Sequence, residues 1–321
     1  MFIHKSVFYQ KILDHLKLKE GDVAIDCTCG GGGHSLGLLE LVGSSGIILG
    51  IDRDQEAVNW LQSRFNQQIK DKNFILCQDK FSNIKKIVKK YNLTSDIKAI
   101  IADVGVSSHQ LDTAQRGFSF QTSGPLDMRM DQSANYPLSA SSVVNDLPEA
   151  DLAEIIKTFG EEPFARRIAK AIVKRRQINP FVTTDDLAKL VTSALPYKKS
   201  KKHPATKTFQ ALRIFVNKEL EELECLIQDG FSVLAKGGRL AIISFHSLED
   251  KIVKKEFRKL AGLQTNTHVS KYFPLTDKQL KVYNKTEGKI IRPFPVKPTD
   301  EEINENPRAR SAKLRIIEKI I

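Results

Sequence analysis

The sequence contains few cysteines and no long apolar run. Its four cysteines, two of them in the C-T-C sequence at 27–29, give neither a disulfide framework nor the paired C-x-x-C spacing of a structural zinc site. No apolar run approaches the roughly 18 to 20 residues that span a bilayer, and polar residues interrupt the segment 1–11 where a signal peptide would have its apolar core. We therefore expect a cytoplasmic protein with no membrane partner and no metal site.

Internal repeats and low-complexity tracts are also absent from the sequence. The chain has 321 residues, of which 41% are hydrophobic and 27% are charged. This length and composition allow one large domain or two modest ones, each with a buried core. Disorder as the dominant state is excluded.

Acidic residues are scarce in one part of a chain that is basic overall, with 50 Lys and Arg against 38 Asp and Glu. Between Phe164 and Lys207 only two acids accompany twelve basic residues. These twelve are Arg166, Arg167, Lys170, Lys174, Arg175, Arg176, Lys189, Lys198, Lys199, Lys201, Lys202 and Lys207. Clustered positive charge favours a polyanionic partner, because neutralised phosphates release their counterions. The alternative is a face that serves only solubility.

The first 111 residues alternate short apolar runs with helical patterns, which is typical of βαβ units and a parallel sheet. The predicted strands are Val23–Asp26, Gly46–Asp52, Asn73–Cys77 and Ile97–Asp103. Acids stand at or just after the ends of these runs: Asp26, Asp52, Asp79 and Asp103. Ligands bind at the carboxyl edge of such a sheet, so we expect these acids to converge on one crevice.

From Leu111 the pattern changes to loops and amphipathic helices, and strand patterns resume near the C-terminus. A long helix is predicted over Phe209–Ile227 and a buried strand over Arg239–Phe245. We therefore predict one discontinuous domain formed by residues 1–111 and 212–321. Residues 112–211 are predicted to form an all-helical insert, whose basic residues favour a polyanionic partner.

A glycine-rich turn follows the first predicted strand. Asp26, Gly30 and Gly32 fit the pattern D-x-x-x-G-x-G, which suits S-adenosylmethionine, a ligand without phosphate whose amino-acid end needs carboxylate and amide partners. The dinucleotide pattern G-x-G-x-x-G fits imperfectly, since Ser35 occupies its sixth position. A tight turn that binds no ligand is the remaining alternative.

Three more residues indicate a site for an adenosine ligand. Asp52 ends the second predicted strand, where a carboxylate binds both hydroxyls of a ribose. Phe81 follows the third strand, where an aromatic ring packs on an adenine or is simply half-buried. Asp103 is followed by V-G-V-S-S-H-Q, a run of small and polar residues that is typical of the edge of a ligand site.

Long motifs along the whole chain resemble those of the bacterial RsmH/MraW methyltransferase family. They are DCTCGGGGHS (26–35), GIDRD (50–54), DVGVSSHQLD (103–112), RGFSF (116–120), GPLDMRMD (124–131), GEEPFARRIA (160–169), HPATKTFQ (203–210), IISFHSLEDK (242–251) and NPRARS (306–311). The resemblance implies an α/β fold, a Rossmann-like class I methyltransferase sheet with an inserted all-helical domain. It also implies methyl transfer from S-adenosylmethionine to the N4 amine of one cytidine in the decoding region of 16S ribosomal RNA.

The resemblance assigns residues to the cofactor pocket. Asp26 and Gly30 of the glycine turn belong to that pocket by the pattern above, and the family motifs add the rest. These are Gly32, Gly33 and His34 in the turn, Asp52 for the ribose, Phe81 for the adenine, and Asp103 and Gln110 to complete the pocket. Cys29 and His109 depart from the residue types usual at their positions, and neither departure removes a cofactor contact.

The catalytic assignment depends mainly on Asp103. The chain lacks the (D/N)-P-P-(Y/F) tetrapeptide with which many amino methyltransferases bind their target amine. We expect Asp103 to accept the N4 proton and Ser107 and Ser108 to orient the base. The walls opposite are predicted to include Ser244, His246 and Asp250. The RNA-binding candidates are Arg166, Arg167, Lys170, Lys174, Lys201, Lys202 and His246.

Two rival functions fit the sequence less well. An NAD-dependent oxidoreductase is disfavoured by the imperfect glycine pattern and by a basic insert that a small substrate does not need. An RNA-binding ribosome assembly factor without catalysis is disfavoured by intact Asp26, Asp52 and Asp103. The expected partner is therefore 16S rRNA or the small ribosomal subunit, and a homodimer is compatible with the sequence.

Overall fold

The structure, a computed structural model, describes residues 6–93, 96–133, 138–196, 203–264, 276, 280 and 284–321. The chain divides into two compact units. We call Val106–Glu219 the helical unit, and Phe2–Gly105 together with Leu220–Ile321 the sheet unit. Among the described residues, no helix combines the length and apolarity needed to cross a lipid bilayer.

The described residues of the sheet unit form a seven-stranded sheet in the order β3-β2-β1-β4-β5-β7-β6. The strands are β1 Val23–Asp26, β2 Ile47–Asp52, β3 Phe74–Gln78, β4 Ile97–Asp103, β5 Leu234–Ser244, β6 Gly288–Ile290 and β7 Lys313–Lys319. Strands β1 to β5 pair in parallel, and β7 is antiparallel to both β5 and β6. The α/β class is therefore confirmed, and β1 and β4 have the bounds that the sequence predicts.

The strand order reverses beside β1, which places a crevice there. The chain runs from β1 to β2 and β3 on one side, then returns to β4 and β5 on the other. Ligands of open α/β sheets bind at such a switch point, outside the carboxyl ends of the strands. Asp26 ends β1 and Asp103 ends β4, so both acids lie at this point.

Helices cover both faces of the sheet. Residues of β4 alternate between two apolar clusters: Ala99 and Ile101 belong to one, and Ile100 and Ala102 to the other. This two-residue alternation is that of a strand buried on both sides. The helices of this unit are α1 Tyr9–Leu16, α2 Gly33–Val42, α3 Gln55–Arg64, α4 Asn66–Lys70, α5 Ile84–Lys90, α12 Glu219–Val233, α13 Ser247–Leu260 and α14 Asp300–Glu305.

The helical unit has its own apolar core. Its helices are α6 Ser108–Asp112, α7 Ala140–Asp146, α8 Glu149–Gly160, α9 Ala165–Arg176, α10 Thr184–Ala194 and α11 Thr206–Asn217. The Thr183 side chain caps the start of helix α10 by accepting a hydrogen bond from the Asp186 amide at 3.3 Å. Ile156, Ile168 and Leu212, from three different helices, are fully buried in this core.

The prediction of one helix over Phe209–Ile227 is wrong. Lys218 has a φ of 51°, and its amide bonds back to the carbonyls of Ile214 and Phe215, which ends α11. A residue in the left-handed region cannot continue an α-helix, so α12 starts afresh at Glu219. Apolar periodicity runs through this point and gives no sign of the break.

Candidate active site

The turn between β1 and α2 uses its glycines for two different purposes. Gly32 has a φ of 80°, and a Cβ built there would lie 2.7 Å from Cε2 of Phe65, so packing demands glycine. Gly30 has a φ of 49°, but a Cβ there would meet nothing nearer than the Thr28 carbonyl at 3.9 Å. The backbone of the turn is therefore in close contact with Phe65 at Gly32. It is open at Gly30, where a ligand can approach the backbone.

Asp26 holds the glycine turn together. Its side chain is buried, and its two carboxylate oxygens accept hydrogen bonds from Ser35 Oγ at 2.6 Å and from the Thr28 amide at 3.1 Å. Burial raises the pKa of Asp26, and the His34 ring and these hydrogen bonds oppose that rise. Both oxygens of Asp26 thus have partners inside the turn, and direct contact with a cofactor stays a prediction.

His34 lies in the first turn of α2, directly after Gly33. Its ring is buried, and Nε2 lies 3.0 Å from the carbonyl oxygen of Val7. The imidazole is therefore engaged with the N-terminal segment. Contacts of Gly33 and His34 with a cofactor stay predictions, and for His34 the structure favours the backbone over the ring.

Asp52 and Phe81 follow neighbouring parallel strands. Asp52 Oδ2 accepts a hydrogen bond from the Gly30 amide at 2.8 Å, and Oδ1 accepts one from the Asp54 amide at 2.9 Å. Burial raises the pKa of Asp52 to about 6. Phe81 begins a short 3-10 helix after β3 and is half-buried against one sheet-face cluster. Asp52 therefore links the second strand to the open position of the glycine turn.

Asp103 carries a buried oxygen that lacks a partner. Its amide donates to Thr28 Oγ1 at 2.7 Å, which ties the end of β4 to the glycine turn. Its Oδ1 is buried and makes no hydrogen bond within the described ranges. Burial, followed by the charges of Asp26 and Glu249, raises the pKa of Asp103 to about 8. A buried acceptor without a donor is costly and is typical of a ligand site.

Glu249, which the sequence analysis did not single out, is close enough to Asp103 for its charge to raise the pKa of that residue. Its Oε2 accepts hydrogen bonds from the amides of Phe245 at 2.8 Å and His246 at 3.2 Å. Its Oε1 is buried at 2.9 Å from Nε2 of His246, yet neither atom makes a well-formed hydrogen bond to any described residue. One sequence signal could have identified Glu249. It is the capping-box spacing, in which a Glu stands three residues after the residue that caps a helix.

The wall predicted around β5 stays a prediction. Asp250 accepts hydrogen bonds from Arg315 Nε and Lys313 Nζ, each at 2.8 Å, so both of its carboxylate oxygens bind side chains of β7. Ser244 Oγ is buried and has no hydrogen-bond partner among the residues described. His246 caps α13, and its RNA contact stays a prediction.

The residues after Asp103 fold into helix α6 of the helical unit. Ser107 caps this helix: its Oγ accepts from the Gln110 amide at 3.1 Å, and Gln110 Oε1 accepts from the Ser107 amide at 3.0 Å. Gln110 is buried and Ser108 is half-buried. The roles of Ser107 and Ser108 in orienting a base, and of Gln110 in binding a cofactor, stay predictions.

The basic candidates of the helical unit lie along α9. Arg166, Arg167, Lys170 and Lys174 are exposed, while Ile168 and Ile172 on the other side are fully buried. Phe164, four residues before Ile168, is 41% exposed because it precedes the first turn. The candidates Lys201 and Lys202 lie outside the described residues.

A sheet of this strand order, with a glycine turn after β1 and acids ending β2 and β4, defines a Rossmann-like methyltransferase domain. The model of the MraW methylase family matches residues 1–320, and the chain belongs to this family. It is 41% identical over 321 residues to "Ribosomal RNA small subunit methyltransferase H" of Coxiella burnetii strain Dugway 5J108-111, covering 100% of both chains. The same identity and coverage hold for the protein of strain RSA 331 / Henzerling II.

Solved structures are similar at a lower level. A SAM-dependent O-methyltransferase from Thermotoga maritima aligns with a TM-score of 0.43 and 12% sequence identity. The alignment covers 100% of this chain and 69% of that one.

Proposed function

We propose that this protein transfers a methyl group from S-adenosylmethionine to the N4 amine of one cytidine in the decoding region of 16S rRNA. The observation that carries the proposal is Oδ1 of Asp103 at the switch point of the sheet, a buried acceptor without a hydrogen-bond donor among the described residues. Membership of a methylase family supports the reaction, and the name of its relatives, ribosomal RNA small subunit methyltransferase H, supports an rRNA substrate.

The residues at the carboxyl edge fit the chemistry of this cofactor. The open position at Gly30 admits a ligand to the backbone, and Asp52 would accept hydrogen bonds from ribose hydroxyls. Phe81 would pack against the adenine. S-adenosylmethionine, when bound, supplies an electrophilic methyl group and a positive charge. No phosphate-binding fingerprint is required, in keeping with the imperfect dinucleotide pattern.

Asp103 would accept the proton that the target amine loses. The N4 lone pair is delocalised into the cytosine ring, so an acceptor on an N4 proton localises the pair as the new bond forms. With its pKa raised to about 8, the Asp103 carboxyl is mostly protonated at neutral pH without ligand. A cation bound beside it lowers that pKa and favours the carboxylate that can accept a proton.

The target base must leave its stack to reach this crevice, which costs a few kcal/mol. Precise alignment and exclusion of water account for most of the catalysis of an in-line methyl transfer. Within the sheet unit, the chain between Asp103 and Gly105 and the turn after β5 border the crevice, since a Cβ at Gly105 would lie 3.9 Å from Glu249 Oε1.

The decisive experiment is transfer of radiolabelled methyl to small ribosomal subunits from cells that lack this protein, followed by identification of the labelled nucleoside. Labelled N4-methylcytidine at one position of the decoding region is the expected product. Substitution of the exposed Asp14 by Asn is a control that should retain full transfer. Label on another base would contradict the N4 assignment. Tight subunit binding without any transfer would instead identify an RNA-binding assembly factor.

A further inference from the structure

Helix α13 separates its charges by sign. All three of its acids are buried: Glu249, Asp250 and Glu256 are between 1% and 9% exposed. Its five basic residues are exposed or half-exposed: Lys251, Lys254, Lys255, Arg258 and Lys259. The surface that this helix presents to solvent is therefore uniformly positive.

These basic residues form one continuous stripe, which we call the α13 stripe. They recur at intervals of three and four residues, so they lie on one side of the helix. Val253 and Phe257 lie on the opposite side, fully buried against the sheet. From Lys251 to Lys259 the stripe runs about 12 Å at 1.5 Å per residue.

Part of this charge has no acidic partner among the described residues. Exposed lysines elsewhere pair closely with carboxylates, as Lys85 does with Asp229 at 2.7 Å and Lys189 with Asp185 at 2.6 Å. Neither Lys254 nor Lys259 forms an ion pair with a described residue, and Lys255 has only the buried Glu256 next to it, at 3.5 Å. A helix face that serves only solubility usually mixes both signs, so this arrangement favours an anionic partner.

The position of the α13 stripe indicates which anionic partner it binds. Helix α13 is capped by His246, and its third residue is Glu249, whose charge acts on Asp103. Lys251 follows Glu249 by two residues. A polyanion along the stripe would therefore have one end at the crevice where the target base is proposed to enter.

We propose that the α13 stripe binds the sugar–phosphate backbone of the RNA next to the target nucleotide. This inference rests on the proposed function and adds a second phosphate-binding element to the one expected on α9. Because neutralised phosphates release counterions, two or three contacts here would contribute strongly to affinity at low salt. They would also fix the direction in which the strand passes the crevice.

The test is the triple substitution of Lys254, Lys255 and Lys259 by Gln, with binding of a decoding-region RNA measured over a range of salt concentrations. If each lysine contacts one phosphate, the log–log salt slope should fall by about 2 to 3 units, and affinity at low salt by roughly tenfold or more. A matched control replaces Lys19, Lys70 and Lys236, exposed lysines beside the amino ends of the strands, by Gln. This control removes the same charge and should retain nearly the whole slope.

Two further measurements separate the stripe from folding and from general charge. Replacement of the same three lysines by Arg should preserve the slope, because the charge is retained. Calorimetric binding of S-adenosylmethionine should be unchanged in all variants if they are folded. Equal salt slopes for the α13 triple and the control triple would overturn the proposal.

The binding assay also distinguishes this inference from the proposed function, because it needs no methyl transfer. An RNA-binding defect confined to the α13 triple supports the stripe even if no transfer is found. Retained RNA binding together with lost binding to vesicles of anionic phospholipid would assign the stripe to a lipid surface and overturn the inference. If transfer occurs, the triple should raise KM for the subunit with little change in kcat, since it leaves the crevice intact.

Discussion

Some carboxylate oxygens at the carboxyl edge of the sheet accept hydrogen bonds from the protein itself, and others do not. Both oxygens of Asp26 are bonded within the glycine turn, and both oxygens of Asp52 accept backbone amides. Asp103 Oδ1 is buried without a hydrogen-bond partner in the described part of the chain, and Glu249 Oε1 has His246 Nε2 at 2.9 Å without a well-formed hydrogen bond. The free acceptor of Asp103 therefore marks where an amine or a cation is expected.

Substitution of Asp52 by Ala should weaken S-adenosylmethionine binding by about 1 to 3 kcal/mol, the scale for removing hydrogen bonds to a charged group. Isothermal titration calorimetry measures this directly. Affinity of the wild type should also fall below about pH 6, because protonated Asp52 accepts hydrogen bonds less well. Unchanged affinity in a folded variant would remove Asp52 from the ribose role.

Substitution of Asp103 by Asn changes the charge of the side chain with almost no change in its shape. If Asp103 accepts the amine proton, the single-turnover rate of methylation should fall by about 10² or more while cofactor affinity changes little. Rapid-quench assays and calorimetry on the same preparation provide both numbers. Equal losses of rate and affinity would place Asp103 in the cofactor pocket alone.

At the scale of single elements, helices α9 and α13 have the same distribution of basic and apolar residues, although they belong to different units. Each presents basic residues on its exposed side and buries apolar residues on the other, as Ile168 and Ile172 show for α9. They differ in their acids. Helix α9 contains none, whereas α13 buries its three near the sheet. Binding of phosphate by each helix can therefore be tested separately.

On α9, the triple substitution of Arg167, Lys170 and Lys174 by Gln should leave folding and cofactor binding intact, because glutamine preserves helix propensity and the buried side is untouched. Affinity for RNA or the subunit should drop. The salt slope should flatten by up to about 0.7 to 0.9 unit for each phosphate that the variant no longer neutralises. An affinity and slope identical to wild type would assign this face to solubility.

At the scale of the whole molecule, the raised pKa of Asp103 makes stability depend on pH. The folded-state pKa is about 8, far above the ordinary value near 3.9, so the folded protein binds this proton more tightly than the unfolded chain. The contribution is most favourable below about pH 4 and is lost as the pH rises to about 8. Burial of this carboxyl therefore lowers stability at neutral and higher pH.

The Asp103→Asn variant should therefore gain stability over the wild type as the pH rises from 4 to 8, by on the order of a few kcal/mol. Differences in Tm between the two proteins, measured by calorimetry at several pH values without cofactor, check this. The difference should be small near pH 4 and largest above pH 8. A difference that does not change with pH would mean that Asp103 is not buried as described.

Much of this molecule follows from its sequence alone. Strands β1 to β4 are encoded by short apolar runs that end in acids or polar residues, and the parallel connections between them force their carboxyl ends to one edge. The family is evident from long motifs spread over the whole chain. Local signals such as the Thr183 cap are equally readable, because both partners lie within one turn.

What each polar side chain does was decided only by tertiary structure, because its partners are distant in sequence. The ring of His34 pairs with a carbonyl 27 residues away, and Asp250 pairs with Arg315 65 residues away, and neither partner could be read from a local motif. The helix break at Lys218 has no sequence signal. Glu249 becomes a candidate site residue only through the fold, which buries its Oε1 next to the chain that follows β4, and such burial is a property of the packed interior and not of a sequence pattern.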